Sequence, residues 1–388
     1  MTECGKPVLG ELSIILPCLN EERTIGICVA KAVDFLKHNN IRGEVLVADN
    51  GSTDRSVEIA QQHGAVVVNV EQKGYGIALR GGFEAAHGKY IIMADADDSY
   101  DLANLMPFVE KLREGYDLVM GNRFKGGIQK GAMPWHHRYI GNPILSFLGQ
   151  LFFKAPAKDF HCGLRGFTKS AIKTMNLQTT GMELASEIVI KASILGMKVC
   201  EVPTTLAPDG RDRPPHLRSF RDGWRHLRFL LLYSPRWLFL YPGLALSLLG
   251  GLASLVLFFG PVTLIRIFDF HSFIIAGTIL MIGLSMLSFA VITRVFTFNT
   301  GLLPKRPSLF GLLRYVTLES GLAVGSVLVL IGIFAIARAV FLSSSPGFAA
   351  IGFDKSIRLV FGACLSLMTG GQIIFTSFVL SMLGINPR

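Results

Sequence analysis

Two aspartates two positions apart are the strongest chemical signal in the sequence. Asp95 and Asp97 directly follow the apolar run YIIMA at residues 90–94, which places both carboxylates at the end of a predicted strand. Carboxylate oxygens in this arrangement can hold a hard divalent cation, and such a cation stabilises the charge that develops on a departing diphosphate. Taken alone, the pair is equally compatible with two solvated acids in a turn, so its meaning depends on the surrounding elements.

Alternating strands and helices position this pair. Short apolar runs predict strands at residues 12–19, 44–48, 65–70, 90–94 and 118–120, and helical spacing predicts helices at residues 22–38, 54–63, 76–86 and 102–113. This alternation predicts a parallel α/β sheet wound in βαβ units. Ligands of such sheets bind beyond the carboxyl ends of the strands. The polar turns after the first, second and fourth strands are therefore expected to converge on one crevice.

Five motifs in this part of the chain carry a family resemblance. They are LPCLNEE at residues 16–22, DNGSTD at 49–54, KGYGIA at 73–78, DAD at 95–97 and GNRF at 121–124. In order and spacing they resemble the family 2 glycosyltransferases of GT-A fold, in particular dolichyl-phosphate-mannose synthases and bacterial polyprenyl-phosphate glucosyltransferases. The resemblance covers roughly residues 12–236. It implies a GT-A (Rossmann-like) domain that binds a nucleotide-sugar.

The resemblance also implies roles for individual residues on the donor side. The nucleotide-sugar pocket would be formed by Pro17, Asn20, Glu21, Asp49, Lys73, Asp95 and Glu183. Asp95 and Asp97 would hold Mg²⁺ or Mn²⁺. Mannose synthases commonly have Gln at the position of Ser99, so the third metal ligand is open between Asp98 and water. Glu183 begins a predicted helix, where an acid is also favourable for purely electrostatic reasons.

A second group of residues is expected to bind phosphate. Arg123 ends a predicted strand, where a guanidinium can grip a phosphate through two hydrogen bonds. Arg138 and Asn142 lie four apart in a segment of helical periodicity, residues 137–151, and so share one side. By resemblance these two bind the phosphate of a lipid acceptor, although Arg138 is also compatible with an exposed helix charge.

Asp159 is the candidate general base. It opens the segment DFHCGLRGF at residues 159–167, which matches a family segment close to the acceptor. A phosphate monoester is already largely a dianion at neutral pH, because its second pKa lies near about 6. Asp159 is therefore equally suited to orienting the acceptor or balancing charge. The histidines at 136, 137 and 161 do not predict a metal site, since adjacent histidines point apart on a helix.

The C-terminal part of the chain predicts a membrane domain. Four apolar runs, at about 237–259, 272–296, 316–341 and 359–383, each reach the roughly 20 residues that a helix needs to cross a bilayer. The predicted organisation is a GT-A domain at 1–210, an amphipathic interfacial helix at 211–236 and a four-helix membrane domain at 237–388. The interfacial helix carries an apolar stripe at Leu217, Phe220, Trp224, Leu227 and Leu231 beside several arginines. A helix packed on the domain core is the alternative.

Charge and cysteine content restrict the partners and the compartment. The net charge is +10, but much of the excess lies next to the first apolar run, which favours anionic lipid over nucleic acid. The six cysteines show no paired C-x-x-C spacing, which disfavours a zinc or redox site. Basic residues in the connecting loops favour a cytoplasmic catalytic domain, although the last loop is less clear. We expect a multi-pass protein of a bacterial inner membrane, whose membrane helices would also allow a homo-oligomer.

These observations together predict an inverting hexosyltransferase. It would move a hexose from a UDP- or GDP-sugar to a polyprenyl phosphate, with Asp97, Asp159 and Arg123 as the catalytic residues. A processive polysaccharide synthase is one alternative, but its Q-x-x-R-W motif has no match, since SPR precedes Trp237. A membrane protein whose inactive domain only binds a ligand is another. The sequence leaves the sugar and the nucleotide open.

Overall fold

The chain folds into two compact units, Met1–Tyr233 and Ser234–Arg388. The computed structural model describes residues 10–211, 219–260, 262–299, 317–343 and 353–384. Parts of the predictions lie outside these ranges. They include residues 1–9 of the first domain, residues 212–218 of the interfacial helix with Leu217, residue 316 at the start of the third apolar run with most of the loop before it, and residues 344–352 of the last loop.

The first unit is an α/β domain. Its strands are β1 Leu12–Cys18, β2 Gly43–Asp49, β3 Val66–Asn69, β4 Tyr90–Met93, β5 Leu118–Asn122, β6 Arg165–Thr168 and β7 Val199–Pro203. Its helices are α1 Ile25–His38, α2 Ser56–Gln62, α3 Tyr75–Ala85, α4 Met106–Arg113, α5 Arg123–Gly126, α6 Asn142–Phe153, α7 Lys169–Met175, α8 Leu184–Ile194 and α9 Ser219–Leu232. The predicted strands and helices up to residue 122 are all present, with small shifts at their ends.

The sheet is mixed, which corrects the prediction of an all-parallel sheet. Its strand order is β3-β2-β1-β4-β6-β5-β7. All neighbours run parallel except β6, which lies antiparallel between β4 and β5. The sequence RGFT of β6 is short and begins with the buried Arg165, so it lacks the apolar run by which a strand is recognised. The antiparallel insertion brings the segment before β6 to the edge where β4 and β5 end.

Burial on both faces of the sheet explains why β1, β2 and β4 read as continuous apolar runs. Helices α1, α2 and α4 contribute to one core cluster, which includes Ile14, Val29 and Phe108. Helices α3, α7 and α8 contribute to the other, which includes Ile15, Phe83 and Ile188. The two covered faces fix the sheet and leave its strand ends open for chemistry.

Helices α6 and α9 pack against each other and present apolar side chains to the outside. A π-helical turn at His137–Gly141 leads into α6. Phe229 and Leu230 of α9 are buried in the core with side chains of α6, which is the packing predicted as the alternative. The opposite side stays open, since Phe220 is 94% and Trp224 59% exposed. Other exposed apolar side chains are Trp135, Tyr139, Ile140, Ile144, Phe147 and Leu151. The helix therefore combines a core-facing side with an exposed aromatic side.

The second unit consists of long apolar helices. They are α10 Tyr241–Phe259, α11 Val262–Asn299, α12 Leu318–Ser343 and α13 Phe353–Gly384, and a π-helical turn at Arg236–Leu240 precedes them. Among the described residues, four segments are long and apolar enough to cross a membrane: Arg236–Phe259, His271–Thr297, Leu318–Phe341 and Arg358–Leu383. This agrees with the predicted fold class, an α/β domain followed by four apolar helices.

Glycines allow these helices to approach closely. A Cβ on Gly250 of α10 would lie 2.8 Å from the Cα of Leu280 in α11, and a Cβ on Gly325 of α12 would lie 2.8 Å from the carbonyl oxygen of Gly370 in α13. Gln372 accepts a hydrogen bond of 3.1 Å from Ser285 Oγ, which joins α13 to α11. Small residues and interhelical hydrogen bonds are the usual means by which helices associate in lipid.

Candidate active site

The turns after β1 and β2 are fastened to each other. Asn20 has a φ of +58°, a left-handed conformation that asparagine adopts more readily than most residues. Its backbone N–H donates to Ser52 Oγ at 2.9 Å, and its side-chain oxygen accepts from the Thr53 N–H at 2.7 Å. Pro17 lies half-buried in β1 opposite Ala48 of β2. The two predicted nucleotide-binding turns thus form one rigid rim.

Asp49 and Lys73 extend this rim. Asp49 is 5% exposed, and its carboxylate accepts from the backbone N–H groups of Gly51 and Ser52 at 3.0 and 3.1 Å. Lys73 Nζ donates to the carbonyl oxygens of Asn50 and Gly51 at 2.8 and 3.1 Å. An ammonium group has three donors, so Lys73 retains one for an anionic ligand.

Asp95 and Asp97 lie at the end of β4, as their spacing predicts. Asp95 Oδ1 accepts a hydrogen bond of 2.9 Å from Tyr75 Oη of α3. Asp97 Oδ1 accepts from the backbone N–H of Ser99 at 3.1 Å and from Ser99 Oγ at 2.6 Å. Burial, followed by the nearby charge of Asp97, raises the pKa of Asp95 to about 6. Two carboxylates this close are stabilised in their charged form by a cation.

The donor set of this turn fits Mg²⁺ or Mn²⁺ with few protein ligands. Among residues that the structure describes, no group of three or more His, Cys, Asp or Glu side chains is arranged to hold a metal ion. Asp98 Oδ1 pairs with Lys31 at 2.6 Å, and Ser99 Oγ donates to Asp97 Oδ1 at 2.6 Å, so both side chains already have a partner within the domain. Mg²⁺ usually takes only one or two carboxylates and fills its other positions with phosphate oxygens and water. Asp95 and Asp97 meet that requirement.

Arg123 and Asp159 form a buried ion pair. Asp159 is fully buried and accepts from Arg123 Nε at 2.8 Å, from Arg123 Nη2 at 2.7 Å and from the Arg123 backbone N–H at 3.0 Å. Both carboxylate oxygens are therefore engaged, while Arg123 Nη1 makes no hydrogen bond to Asp159. Glu201 of β7 supports the pair, because it accepts from the Asp159 backbone N–H at 3.1 Å and from Asn122 Nδ2 at 2.9 Å.

Arg165 joins the acceptor segment to the rest of the site. Its guanidinium is fully buried and donates to the carbonyl oxygens of Phe160, Cys162 and Ala185 at 2.7–2.8 Å. This holds the loop before β6 in place, with Gly163 directly against the Asp95 carboxylate. The donor and acceptor parts of the predicted site therefore touch at this glycine.

Glu183 and Glu187 have different surroundings. Glu187 is fully buried and satisfied, since it accepts from Thr179 Oγ1 at 2.6 Å and pairs with Lys191 at 2.7 Å. Oε2 of Glu183 is buried and has no hydrogen-bond partner among the described residues. A buried carboxylate oxygen without a donor costs free energy unless a ligand supplies one. Glu183 is therefore suited to a sugar hydroxyl, and Glu187 to holding the loop.

Arg138 and Asn142 lie at the junction of the π-helical turn and α6. Arg138 stacks on the ring of Tyr139, with 5.5 Å from its Cζ to the ring centroid. Asn142 Nδ2 lies 3.5 Å from Met133 Sδ. Burial, followed by the nearby His136 and Arg123, lowers the pKa of His137. Arg138 therefore lies next to an exposed aromatic ring, since Tyr139 is 67% exposed.

Four residues that contribute to the geometry were not predicted. Tyr75 binds Asp95, Arg165 holds the acceptor loop, Glu201 supports Asp159, and Arg211 binds Glu21 and Asp97. Tyr75 and Arg165 lie inside the motifs at 73–78 and 159–167, so the sequence could have identified them as site residues. Glu201 lies in β7 and Arg211 follows it, and nothing in their local sequence marks them, because their partners are 42 or more positions away.

Asp95 and Asp97 thus lie at a sheet edge, and the loop that carries Asp159 reaches Asp95 at Gly163. Residues 13–175 match Glycosyl transferase family 2, and residues 291–384 match the Glycosyltransferase family 2 C-terminal transmembrane region. The low-salt glycan biosynthesis hexosyltransferase Agl6 of Haloferax volcanii is 36% identical over 378 residues, which cover 96% of this chain and 89% of the relative. The chain belongs to the family 2 glycosyltransferases, and its apolar helices make it an integral membrane protein.

Two further similarities are more limited. A dolichyl-phosphate hexose transferase of the same archaeon is 31% identical over 194 residues, covering 50% of this chain and 81% of the relative. Glucosyl-3-phosphoglycerate synthase from Mycobacterium tuberculosis, solved with Mn²⁺, UDP and glucosyl-3-phosphoglycerate, is 21% identical with a TM-score of 0.45, covering 57% of this chain and 78% of that one. The family and fold predicted from the motifs are confirmed, whereas the bacterial membrane and the cytoplasmic domain stay predictions.

Proposed function

We propose that this glycosyltransferase moves a hexose from a nucleotide-sugar to a polyprenyl phosphate, with inversion at the anomeric carbon. The observation that carries the proposal is an exposed region at the start of α6, where Arg138 lies over the exposed ring of Tyr139 and the helix presents the exposed side chains of Ile144 and Phe147. Such a region suits an acceptor whose phosphate needs cations and whose tail needs an apolar surface. The relative named as a dolichyl-phosphate hexose transferase supports the same acceptor class.

The donor is proposed to lie across the turns after β1, β2 and β4. Asn20, Asp49 and Lys73 would bind the nucleotide, and Glu183 would accept a hydroxyl hydrogen of the sugar. A Mg²⁺ or Mn²⁺ ion held by Asp95 and Asp97 would supply positive charge to the leaving diphosphate. The buried like-charge pair with its raised Asp95 pKa supports that assignment.

The transfer step needs no proton removal by the protein. An oxygen of the acceptor phosphate, largely a dianion at neutral pH, attacks the anomeric carbon and forms the new C–O bond. The bond from that carbon to the diphosphate oxygen breaks, and the diphosphate keeps the electron pair. Arg123 would hold the acceptor through Nη1, because Nε and Nη2 each donate to Asp159 and Nη1 does not. Asp159 is thereby assigned to positioning Arg123 and balancing its charge.

The full-length protein in detergent tests this proposal with three labelled donors. UDP-glucose, UDP-galactose and GDP-mannose are each incubated with polyprenyl phosphate and Mn²⁺, and the label in the lipid extract is counted. We expect one donor to yield a lipid carrying a single sugar. Asp97→Asn and Arg138→Gln should each lower the yield at least tenfold, whereas Arg113→Gln, in a surface ion pair with Glu11, should not.

The other outcomes separate the alternatives. Label in a long insoluble polymer would support a processive synthase. Absence of lipid label with every donor, in protein that still binds UDP, would support a domain that only binds its ligand. Labelled lipid that is undiminished in Arg138→Gln would remove Arg138 from the acceptor site.

A further inference from the structure

Arg211 forms ionic contacts at the turn after β4, residues 95–99, which is called the metal-binding turn below. Its Nε donates to Glu21 Oε2 at 3.0 Å, and its Nη2 lies 3.0 Å from Glu21 Oε1 and 3.2 Å from Asp97 Oδ2. The Arg211 side chain is 14% exposed. One guanidinium thus neutralises two carboxylates of the donor site, and one of these is a predicted metal ligand.

The particular oxygen that Arg211 contacts is the important detail. Asp97 Oδ1 already accepts two hydrogen bonds from Ser99, whereas Oδ2 has Arg211 as its partner. A divalent cation bound through Asp97 would take the oxygen with spare capacity, which is Oδ2. The cation and the guanidinium would then be neighbours of like charge at one atom. Both therefore cannot hold Oδ2 with full strength.

The backbone places Arg211 at this position. The Ala207 N–H donates to the carbonyl oxygen of Ser99 at 2.9 Å, and the Gly210 N–H donates to that of Asp97 at 2.9 Å. Gly210 also lies close to Thr24, since a Cβ there would be 2.9 Å from Thr24 Cγ2. The segment before Arg211 is thus held against the metal-binding turn by two backbone hydrogen bonds. The hydrogen-bonded backbone therefore positions the Arg211 guanidinium at Asp97.

We propose that Arg211 is the counter-cation of the metal-binding turn in the metal-free enzyme, and that the divalent cation binds by displacing it from Asp97. This rests on the metal role proposed above for Asp95 and Asp97. Displacement leaves the guanidinium without one of its anions, and a nucleoside diphosphate supplies new ones. Metal and nucleotide therefore bind with positive cooperativity, each raising the affinity of the site for the other.

Binding of Mn²⁺ alone tests the exchange without any catalytic readout. Free Mn²⁺ is titrated by electron paramagnetic resonance against the full-length protein in detergent, first without nucleotide and then with saturating UDP. Arg211→Gln keeps a polar side chain but removes the competing charge. We expect it to bind Mn²⁺ about tenfold more tightly than the wild type without UDP, because a unit charge near Asp97 is lost. UDP should then increase Mn²⁺ affinity less than it does in the wild type.

Two further variants control this measurement. Arg113→Gln removes the same charge from an exposed ion pair with Glu11 and should leave Mn²⁺ affinity unchanged. Arg211→Lys keeps the charge but loses the two-point contact with Glu21, and should shift Mn²⁺ affinity in the same direction by a smaller factor. It also provides the test if Arg211→Gln does not fold.

The negative outcomes are distinct. Wild-type or weaker Mn²⁺ affinity in both Arg211 variants overturns the exchange and leaves the proposed transfer reaction standing. Failure of the wild type to bind Mn²⁺ even with UDP overturns the exchange together with the metal assignment.

Discussion

The buried pair of Arg123 and Asp159 allows a quantitative test of how the acceptor site is held. We expect the two residues to be strongly coupled, so that removing both costs less stability than the sum of the two single removals. The cycle consists of Arg123→Gln, Asp159→Asn and the double variant. Each single variant leaves one charge in a place where the side chains are 9% and 0% exposed.

The expected loss of stability in each single variant follows from the burial of the pair and from its number of contacts. Removing one partner of a buried, hydrogen-bonded ion pair costs about 3–5 kcal/mol, because the other charge is left without compensation. The first unit extends over Met1–Tyr233, and for a domain of this size 1 kcal/mol shifts the melting temperature by roughly 2–4 °C. Each single variant is therefore expected to melt about 10 °C below the wild type. The double variant should melt well above the value that adding the two shifts gives.

Intrinsic tryptophan fluorescence of the full-length protein in detergent is a suitable assay. Trp135 and Trp224 lie in the first unit, so their emission reports its unfolding. The control cycle uses Lys111 and Glu114, a pair with side chains 40% and 50% exposed. Exposed pairs are coupled by at most about 1 kcal/mol, so these shifts should add within a few degrees.

Additive shifts in the Arg123–Asp159 cycle would refute the reasoning. Additivity within about 0.5 kcal/mol is the behaviour of residues that do not interact. The close contact between Arg123 and Asp159 would then not stabilise the fold. Asp159 would not be committed to Arg123 and could serve as a general base.

Three further changes have expected outcomes. Gly163→Ala places a methyl group against the Asp95 carboxylate and should lower kcat about 100-fold, whereas Gly223→Ala, with no atom near its Cβ position, should not. His226 is buried, and burial is the chief reason that its pKa is lowered to about 4 from an ordinary 6.5, so stability present at pH 7 is lost as the pH falls from 6.5 to 4. His226→Asn should reduce this loss by about 3 kcal/mol, measured as melting temperature against pH. Equal pH profiles of the variant and the wild type would contradict the assignment. Trp224→Ser should raise KM for polyprenyl phosphate several-fold without changing KM for the nucleotide-sugar, and an unchanged lipid KM would place the acceptor tail elsewhere.

The fold was predictable where one element produces a clear local pattern. β1, β2 and β4 are buried on both faces and therefore read as apolar runs, and the four apolar helices exceed the length of a bilayer span. β6 was missed because its identity depends on its neighbours. It is a four-residue strand, and only its place between β4 and β5 makes it part of the sheet.

The candidate site divides in the same way. Asp95 and Asp97 were predictable because strand and turn bring them together within three residues. Glu201 and Arg211 act on positions 42 and 114 residues earlier in the chain. The place of β7 in the sheet brings Glu201 there, and backbone hydrogen bonds of Ala207 and Gly210 bring Arg211 there. Sequence spacing also could not show that Asp159 is saturated by Arg123, since this requires both carboxylate oxygens to be located.

The donor and acceptor parts of the site share one electrostatic design. In each, a guanidinium pairs with a carboxylate, and the proposed reaction uses one member of the pair: Asp97 in the pair with Arg211, and Arg123 in the pair with Asp159. The burial of the two pairs differs, because Arg211 is 14% exposed and contacts Asp97 through one nitrogen, whereas Arg123 contacts Asp159 through two. The weaker contact lies where a cation must enter, and the stronger where a guanidinium must stay in place. This difference is consistent with exchange at the metal-binding turn and with a fixed cation at the acceptor site.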